Sequence, residues 1–515
     1  MPCDALHYYY LVKEFNLLLC RGKIEKVQCL NDYDIVLHIR ASNKNYPLLL
    51  SGSPNQSCMY LTEQKFESQK VATAFCLNLK KNITNSVIVK FDTVPYERII
   101  EIHFEHIDEF GTKNEFVLVA ELMGRRSNII LITKQTGKIC ECMFKASIDI
   151  APKRPILPGM SYSLPLAPNY EILQRIKKQF EMCEKIPYSP SVAIKDNVSI
   201  DFFINKSLME NQMNFDILNF KTLNQAVCFH YKSQSEYKAF SSLKYKLATA
   251  INNAQKKLAK KQWILLKSRQ QSSDFANFQL LGELLTANMY LAKYGDKSVT
   301  VTNYYDETDV TIILDVKKNP AQNAQHYFKQ YSKKLKTYDM TGTQLTQVED
   351  DLQYFQSIQA LIEAASDMQS LMDIKQEMAK ASIYLKKENE NHKNEPQMSK
   401  PRHYEIDGFD VFLGKNNIQN DQLIKNSKSS DIWLHQQNAH GCHAIISTHS
   451  KLPSLQTITK VAEIVAFFSK SKQTDKVFVD YTQIKNVTKR KGAKPGFVLY
   501  KNQKTLCVNP KNPMQ

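Results

Sequence analysis

The sequence has no stretch that would export the chain or hold it in a membrane. No run approaches the roughly 18 consecutive apolar residues of a membrane span, and residues 1–15 contain no charged segment followed by an apolar one. Secretion and membrane insertion are therefore disfavoured, and we expect a cytoplasmic protein.

The sequence also lacks the short motifs of common enzymes and metal sites. Neither the phosphate-binding pattern GxxxxGK followed by Ser or Thr nor the zinc-protease pattern HExxH occurs. The eleven cysteines are odd in number and mostly stand alone in apolar surroundings, and Cys140 and Cys142 form the one close pair. No second Cys or His pair follows at zinc spacing. We expect reduced thiols, no metal, no cofactor and no catalytic residue.

Acidic residues are too few to balance the basic ones. The 515 residues include 68 Lys plus Arg against 51 Asp plus Glu, a formal net charge of +17. Residues 401–515 alone hold 17 basic and 8 acidic residues, and a second lysine concentration runs over residues 256–269. Such a surface attracts phosphate backbones at long range, which favours RNA as a partner. An ordinary solvated basic face is the alternative.

Periodicity predicts a multidomain α+β protein that begins with an α/β domain over residues 1–168. Apolar residues recur at helical spacing over residues 6–19 and then change to the short runs of strands over residues 24–40. Further strands are expected at residues 87–90, 99–104, 116–122, 129–132 and 139–144. Five prolines between residues 152 and 168 predict an extended linker that closes this domain.

The rest of the chain divides into three predicted regions. Residues 169–240 are expected to form a small helical domain. Residues 241–398 are expected to form a long antiparallel coiled-coil arm, because Leu247, Ile251 and Leu258 mark an apolar seam and a capping box at Thr346 would start the second helix. A small middle domain at about residues 295–340 would lie at its tip. A polar linker at residues 386–401 then leads into an α+β domain over residues 399–515.

Short phrases in a fixed order carry a family resemblance along most of the chain. In the first domain they include Met1-Pro-x-Asp4-Ala, Phe75-Cys-Leu-x-Leu79 and Glu121-Leu-Met-Gly124-Arg-x-Ser127-Asn128. Later ones are Gly282-Glu-Leu-Leu-x-Ala-Asn288, Gly414-Lys-Asn-Asn417-x-x-Asn420-Asp421, Asp431-Ile-Trp433-Leu-His435 and Lys491-Gly-Ala-Lys494-Pro-Gly496. The chain therefore resembles the NFACT family of ribosome-quality-control factors, known earlier as FbpA-like fibronectin-binding proteins, in its bacterial short form.

This resemblance implies both an architecture and a function. The family has an NFACT-N domain, a helix-hairpin-helix domain, a coiled-coil arm with a middle domain, and an NFACT-R RNA-binding domain. Its members bind a large (50S) ribosomal subunit still obstructed by peptidyl-tRNA. They recruit tRNA, typically tRNA-Ala in bacteria, for untemplated tailing of the nascent chain's C-terminus. The ribosome makes the peptide bonds, so the resemblance implies no enzymatic activity in this chain.

Two groups of residues are expected to bind RNA. The family's Asp-Arg pair, implicated in tRNA-dependent tailing, falls on Glu97 and Arg98, where glutamate replaces the family's aspartate. Arginine offers a planar fork of donors to phosphate or to a guanine edge, and a neighbouring carboxylate holds it in place. An exposed ion pair is the alternative. Glu121 and Arg125 are expected to join this tRNA site, although their segment also suits a turn that only stabilises the domain.

The second group lies in the last domain. Asp431, Trp433 and His435 alternate, so on a strand they project from one face, where an indole could stack on an unpaired base. The alternative is that Trp433 is a core residue. A basic loop completes the predicted RNA and ribosome site; its cations are Lys489, Arg490, Lys491 and Lys494.

Two functions of other classes remain open from the sequence. An N-terminal domain followed by a helix-hairpin-helix resembles formamidopyrimidine DNA glycosylases, which use Pro2 as nucleophile, but Cys3 stands where an acidic partner is expected. A fibronectin-binding surface adhesin is the other alternative, and the missing export signal disfavours it.

Overall fold

The computed structural model describes residues 3–69, 71–107, 111–166, 169–208, 215–383, 399–449, 451–469 and 476–513. The chain divides into two compact units, Met1–Lys238 and Ala239–Gln515. Both units combine helices with antiparallel sheets, so the predicted multidomain α+β class is confirmed. Pro2 and most of the predicted linker at residues 386–401 lie outside the described residues.

The first unit is built on a nine-stranded antiparallel sheet. Its strands are β1 (Lys23–Cys29), β2 (Asp34–Ala41), β3 (Lys44–Ser51), β4 (Cys58–Leu61), β5 (Val87–Thr93), β6 (Ile99–Ile107), β7 (Lys113–Glu121), β8 (Asn128–Thr133) and β9 (Ile139–Cys142), in the spatial order β4-β3-β2-β1-β5-β6-β7-β8-β9. Helices α1 (Ala5–Leu19) and α2 (Ala74–Ile83) share its main apolar core. Helix α1 begins at Asp4, whose carboxylate accepts from the His7 backbone N–H at 2.9 Å, as an N-cap should.

Two predictions for this unit are wrong. Cys29 on β1 and Cys76 on α2 form a disulfide, with Cα atoms 6.3 Å apart, so these two thiols are not reduced. A separation of 47 residues hid the pair from spacing arguments. The proline-rich segment is not a free linker: Ile156 pairs with Ala146 in an isolated bridge and is 8% exposed. Proline keeps a segment extended, but Ile156 and its neighbours still have apolar surface to bury.

The predicted small helical domain contains a sheet. After helix α3 (Tyr170–Glu184) come strands β10 (Ser191–Lys195), β11 (Val198–Phe203) and β12 (Asp216–Asn219), in the spatial order β11-β10-β12. The expectation of a purely helical region is therefore wrong. The hairpin between β10 and β11 turns on Asp196 and Asn197, with φ of 50° and 62°. Both residues tolerate the left-handed conformation that a two-residue hairpin requires, a signal present in the sequence.

The arm is an antiparallel helical hairpin with a small strand pair at its far end. Helix α4 (Leu223–Ser272) is followed by α5 (Phe275–Ala287), strands β13 (Ser298–Thr302) and β14 (Asp309–Ile313), and helices α6 (Pro320–Ala364) and α7 (Met368–Lys380). Leu247 and Ile251 of α4 pack with Ile358 of α6, and further along Leu265 packs with Leu345. The predicted seam residues therefore do face a second helix.

The predicted start of the second arm helix is wrong. Helix α6 begins at Pro320, and its capping box is formed by Asn319 and Gln322; Thr346 lies inside the helix. The Asn319 side chain accepts from the Gln322 backbone N–H at 2.8 Å. Proline at the first helical position lacks the N–H that would have no partner there, so the Asn-Pro pair is the stronger start signal.

The second unit ends in a six-stranded antiparallel sheet. Its strands are β15 (Arg402–Ile406), β16 (Phe409–Leu413), β17 (Ile432–Gln436), β18 (Ala444–Ser447), β19 (Val477–Gln483) and β22 (Lys504–Val508), in the order β15-β16-β18-β17-β19-β22. A short pair, β20 (Val487–Thr488) and β21 (Leu499–Tyr500), and helices α8 (Asn417–Asn426) and α9 (Leu455–Phe467) complete it. Helix α9 covers one face, where Ile432 and Leu434 are buried. Within the described ranges, no helix is long and apolar enough to cross a membrane.

Candidate nucleic-acid interface

Glu97 and Arg98 lie in the tight turn that leads into β6. The Glu97 backbone N–H donates to the Val94 carbonyl at 3.1 Å, and the Arg98 carbonyl accepts from the Leu122 N–H at 2.9 Å. Both side chains are half-buried. Burial raises the pKa of the Glu97 carboxyl, and the charge of Arg98 opposes that rise. The turn therefore holds the arginine beside a carboxylate at the start of β6, an interior strand of the sheet, and tRNA binding by this pair stays a prediction.

Aromatic rings and cations surround this turn, and sequence reasoning missed them. Tyr96 has a φ of 64°, which is unusual for a bulky residue, and its ring meets Phe180 of α3 edge-on at 5.2 Å. The Lys177 ammonium lies 5.5 Å from the Tyr96 ring centroid, and the Lys13 ammonium lies 4.1 Å from that of Tyr9. We call Tyr9, Lys13, Tyr96, Lys177 and Phe180 the Tyr96 patch. Helical periodicity alone could not pair α3 with a turn about 80 residues earlier.

Glu121 is close to this turn but is not on the surface. Glu121 pairs with Ile99 across the β6–β7 ladder and is 1% exposed. The Arg154 guanidinium donates to both carboxylate oxygens, one of them at 3.1 Å, and the Tyr162 hydroxyl donates at 2.8 Å. The carboxylate is therefore fully occupied by the proline-rich segment. In this structure Glu121 positions the chain and has no direct access to an RNA.

Arg125 lies at the same end of the sheet and is exposed. It belongs to a 3₁₀ turn over Gly124–Arg126, in which Gly124 has a φ of 68° and donates its N–H to the Ser57 hydroxyl at 3.2 Å. No ion pair engages Arg125 or Arg126 within the described part of the chain. Both cations are therefore available to phosphate, and RNA binding by Arg125 stays a prediction.

In the last domain, the side chains of Trp433 and His435 lie on the predicted face of the strand, but they are not exposed as predicted. Trp433 and His435 project from the face of β17 opposite α9, yet Trp433 is 0% exposed and packs with Ile445. The indole is therefore a core residue, and the expected open stacking surface is absent. Asp431 is 4% exposed and accepts from the backbone N–H groups of Lys428 and Thr448 at 2.8 and 3.0 Å, so it fixes two loops.

The basic loop, residues 489–494, is only partly free to meet phosphate. Lys489 pairs with Asp421, and Lys494 pairs with Asp351 of α6 at 2.6 Å. Arg490 and Lys491 are exposed, and neither forms an ion pair with a described residue. Two of the four predicted cations thus hold the loop in place, and the other two present uncompensated charge.

Successive stretches that together span most of the chain match two known domain families in order. Residues 4–178 and 166–398 match the description "NFACT N-terminal and middle domains", and residues 401–502 match "NFACT protein RNA binding domain". The chain belongs to the NFACT family. This NFACT chain therefore carries an RNA-binding domain in its second unit, and the matched residues run from β15 to β21.

Relatives cover nearly the whole of this NFACT chain. It is 31% identical to the Rqc2 homolog RqcH of Bacillus subtilis (strain 168), over 99% of this chain and 98% of the relative. It is 29% identical to the Rqc2 homolog RqcH of Streptococcus suis (strain 05ZYH33), over the same shares. A solved C-terminal structure of the fibronectin/fibrinogen-binding protein from Streptococcus suis is 26% identical, covers 53% of this chain and 96% of its own, and gives a TM-score of 0.41. The relatives and the RNA-binding domain support a role in ribosome quality control and indicate no enzyme family.

Proposed function

We propose that this protein binds obstructed large (50S) ribosomal subunits carrying peptidyl-tRNA and recruits tRNA for untemplated C-terminal tailing of stalled nascent chains. The expected tRNA is tRNA-Ala, and the protein acts in the cytoplasm. In this proposal the ribosome makes each peptide bond, and the chain only has to hold RNA in two places. We assign one such place to each unit.

The observation that carries the proposal is a cationic surface on each unit that is suited to binding RNA. On the first unit, Arg98 is held beside Glu97 and next to the Tyr96 patch. Aromatic faces with flanking cations suit an unpaired RNA segment, because bases stack on the rings while phosphates meet the ammonium groups. The guanidinium fork of Arg98 adds bidentate donors for phosphate or a base edge. We assign tRNA to this surface.

On the second unit, Arg490 and Lys491 supply the charge for rRNA. Their neighbours Lys489 and Lys494 are already paired with carboxylates, which fixes the loop. Each cation that neutralises a phosphate releases counterions, so binding weakens as salt rises with a slope of about 0.9 per contact on a duplex. The double variant Arg490→Ala/Lys491→Ala should lower that slope by about two, whereas Lys489→Ala should change it less.

The test is to capture the tagged full chain from lysate at moderate salt and to sequence the bound RNA. We expect large-subunit rRNA together with one tRNA family. Arg98→Ala should lose the tRNA and keep the rRNA, and Arg490→Ala/Lys491→Ala should lose the rRNA. Arg40→Ala is the matched control, because Arg40 is exposed on β2 and its guanidinium donates to the Asn45 side chain, away from the Glu97–Arg98 turn. Recovery of neither RNA from the unaltered chain would refute the proposal.

A further inference from the structure

An ion pair joins the basic loop to the arm within the second unit. The Lys494 ammonium lies 2.6 Å from a carboxylate oxygen of Asp351 on α6, and 5.9 Å from the centroid of the Tyr354 ring one turn further along that helix. The partner of Lys489 is instead Asp421 on α8, a helix of the RNA-binding domain itself. Of these two paired loop cations, Lys494 is the one whose carboxylate comes from the arm.

A buried hydrogen-bond network ties the same helices together beside this pair. Glu377 of α7 is fully buried and accepts from the Tyr354 hydroxyl at 2.9 Å. It also accepts from the backbone N–H and the side-chain amide of Asn417, at the start of α8, at 3.0 and 2.9 Å. The same amide donates to the Ser357 hydroxyl of α6 at 2.9 Å. These bonds hold α6, α7 and α8 together independently of the ion pair.

The ion pair differs from this network because solvent reaches both of its partners. The side chains of Lys494 and Asp351 are 39% and 23% exposed. An ion pair in such a position contributes little to stability, because water and salt screen it. The pair can therefore open while the buried network stays intact, and a phosphate that arrives from solvent has access to the Lys494 ammonium.

The backbone that follows Lys494 is fixed by contacts of its own. The Gly496 N–H donates to the Asp421 carboxylate at 3.0 Å, and a Cβ added at Gly496 would collide with the Asn417 side chain. The next residue, Phe497, packs against the apolar core of the arm. Opening of the ion pair would therefore release the Lys494 side chain and leave the loop in place.

Asp351 occupies Lys494 in the way that an RNA phosphate would. It ends an acidic run on α6, residues 349–351, so the arm brings negative charge to a loop that is otherwise basic. A carboxylate and a phosphate both accept charged hydrogen bonds from an ammonium group, so the two compete for it. In the free protein, Arg490 and Lys491 are exposed and open to RNA, whereas Lys494 is already engaged.

We propose that the pair of Lys494 and Asp351, the Lys494 latch, is an autoinhibitory contact through which the arm limits the affinity of the basic loop for RNA. This inference rests on the proposed function and adds a regulation of the second unit's RNA surface. An RNA that meets Arg490 and Lys491 leaves the latch closed. An RNA that also presents a phosphate to Lys494 displaces Asp351, and the free energy of breaking the latch is subtracted from its binding.

The sign of one substitution tests this competition. Asp351→Asn removes the competing charge and keeps the shape of the side chain. Its affinity for a short fluorescently labelled RNA hairpin is measured by anisotropy in the full chain, with Arg98→Ala present throughout to weaken binding at the first unit. Asp351→Asn should bind the hairpin about two- to five-fold more tightly, the scale of an exposed ion pair that no longer has to break. If Asp351 only supports the loop, the same variant should bind more weakly.

Two controls separate competition from a general loss of negative charge. Asp350→Asn removes the same charge from the neighbouring exposed position of α6 and should tighten binding by less than about 1.5-fold, because solvent screens it. In a Lys494→Ala chain, Asp351→Asn should behave like Asp350→Asn, because the cation that it releases is gone. Lys494→Ala alone should lower the salt slope by about 0.9, since a phosphate reaches Lys494 in the complex.

The outcomes separate this inference from the proposed function. Equal affinities of Asp351→Asn and Asp350→Asn, a tightening that persists in Lys494→Ala, or an unchanged salt slope in Lys494→Ala would overturn the latch, while salt-dependent binding through Arg490 and Lys491 remained. A full chain that captures neither tRNA nor rRNA from lysate would instead overturn the proposed function itself.

Discussion

Replacing Arg154 with alanine should destabilise the nine-stranded sheet by about 3 kcal/mol. The Glu121 side chain is 2% exposed, and two of its three hydrogen bonds come from the Arg154 guanidinium. The variant leaves a buried carboxylate with Tyr162 as its one remaining donor. Breaking a buried ion pair from one side costs about 3–5 kcal/mol, and we take the lower end because the Arg154 side chain is 21% exposed.

Both tryptophans lie in the second unit, so the assay must report on the first unit by other means. Hydrogen exchange of the β7 amides, followed by mass spectrometry on the full chain, reports opening of the sheet where Glu121 sits. A loss of about 3 kcal/mol corresponds to exchange faster by roughly 100-fold or more. Arg126→Ala removes an exposed arginine at the neighbouring turn and should change exchange by less than about three-fold, consistent with roughly 0.5 kcal/mol.

The double variant Arg154→Met/Glu121→Leu tests the reasoning further. Replacing a buried pair by apolar side chains of similar size is often neutral, so it should restore most of the lost protection. If Arg154→Ala accelerates β7 exchange no more than Arg126→Ala does, the ion pair does not stabilise the sheet and the argument is refuted.

Three further predictions concern the second unit. Asn319→Ala removes the α6 cap and should lower arm stability by about 1 kcal/mol, measured as faster hydrogen exchange of the α6 amides; no change in exchange would place the helix start elsewhere. Gly496→Ala should weaken both stability and RNA affinity more than Gly492→Ala, judged by thermal unfolding and RNA titration. Both glycines have φ near 80°, but only at Gly496 would a Cβ lie 2.4 Å from the Asn417 Oδ1. The depressed pKa of His435, about 4, means that the unfolded chain binds a proton first as pH falls, so stability should decline from about pH 6.5 to about pH 4. His435→Gln should flatten that part of the pH–stability curve, and an unchanged slope would contradict the role of burial.

The sequence predicted elements well where a local pattern was enough. The alternation of β17 correctly placed Ile432 and Leu434 on one face and Trp433 on the other, because side chains on a strand alternate strictly. The start of α6 was not predicted, because a capping box at Thr346 was favoured. Asn319 and Pro320 are the residues that signal this start. The β10–β11 hairpin was also missed, although Asp196 and Asn197 are residues that tolerate the turn it requires.

The burial of side chains and their ion pairs could not be predicted from local sequence patterns and are seen only in the folded structure. Whether Trp433 is an open stacking surface or a core residue depends on which loops cover β17, and no local pattern contains that information. The same holds for Lys489 and Lys494, which look free in the sequence and pair with carboxylates in the structure.

The sequence by itself determined the basic balance, the α+β class, the antiparallel arm and membership of the NFACT family, because composition, periodicity and ordered motifs are properties of the chain in one dimension. Only the tertiary structure decided that Cys29 bonds Cys76, that Arg154 occupies Glu121, and that rings far apart in sequence enclose a cavity around Trp433. These features depend on contacts between residues separated by tens of positions, and packing, not local preference, selects them.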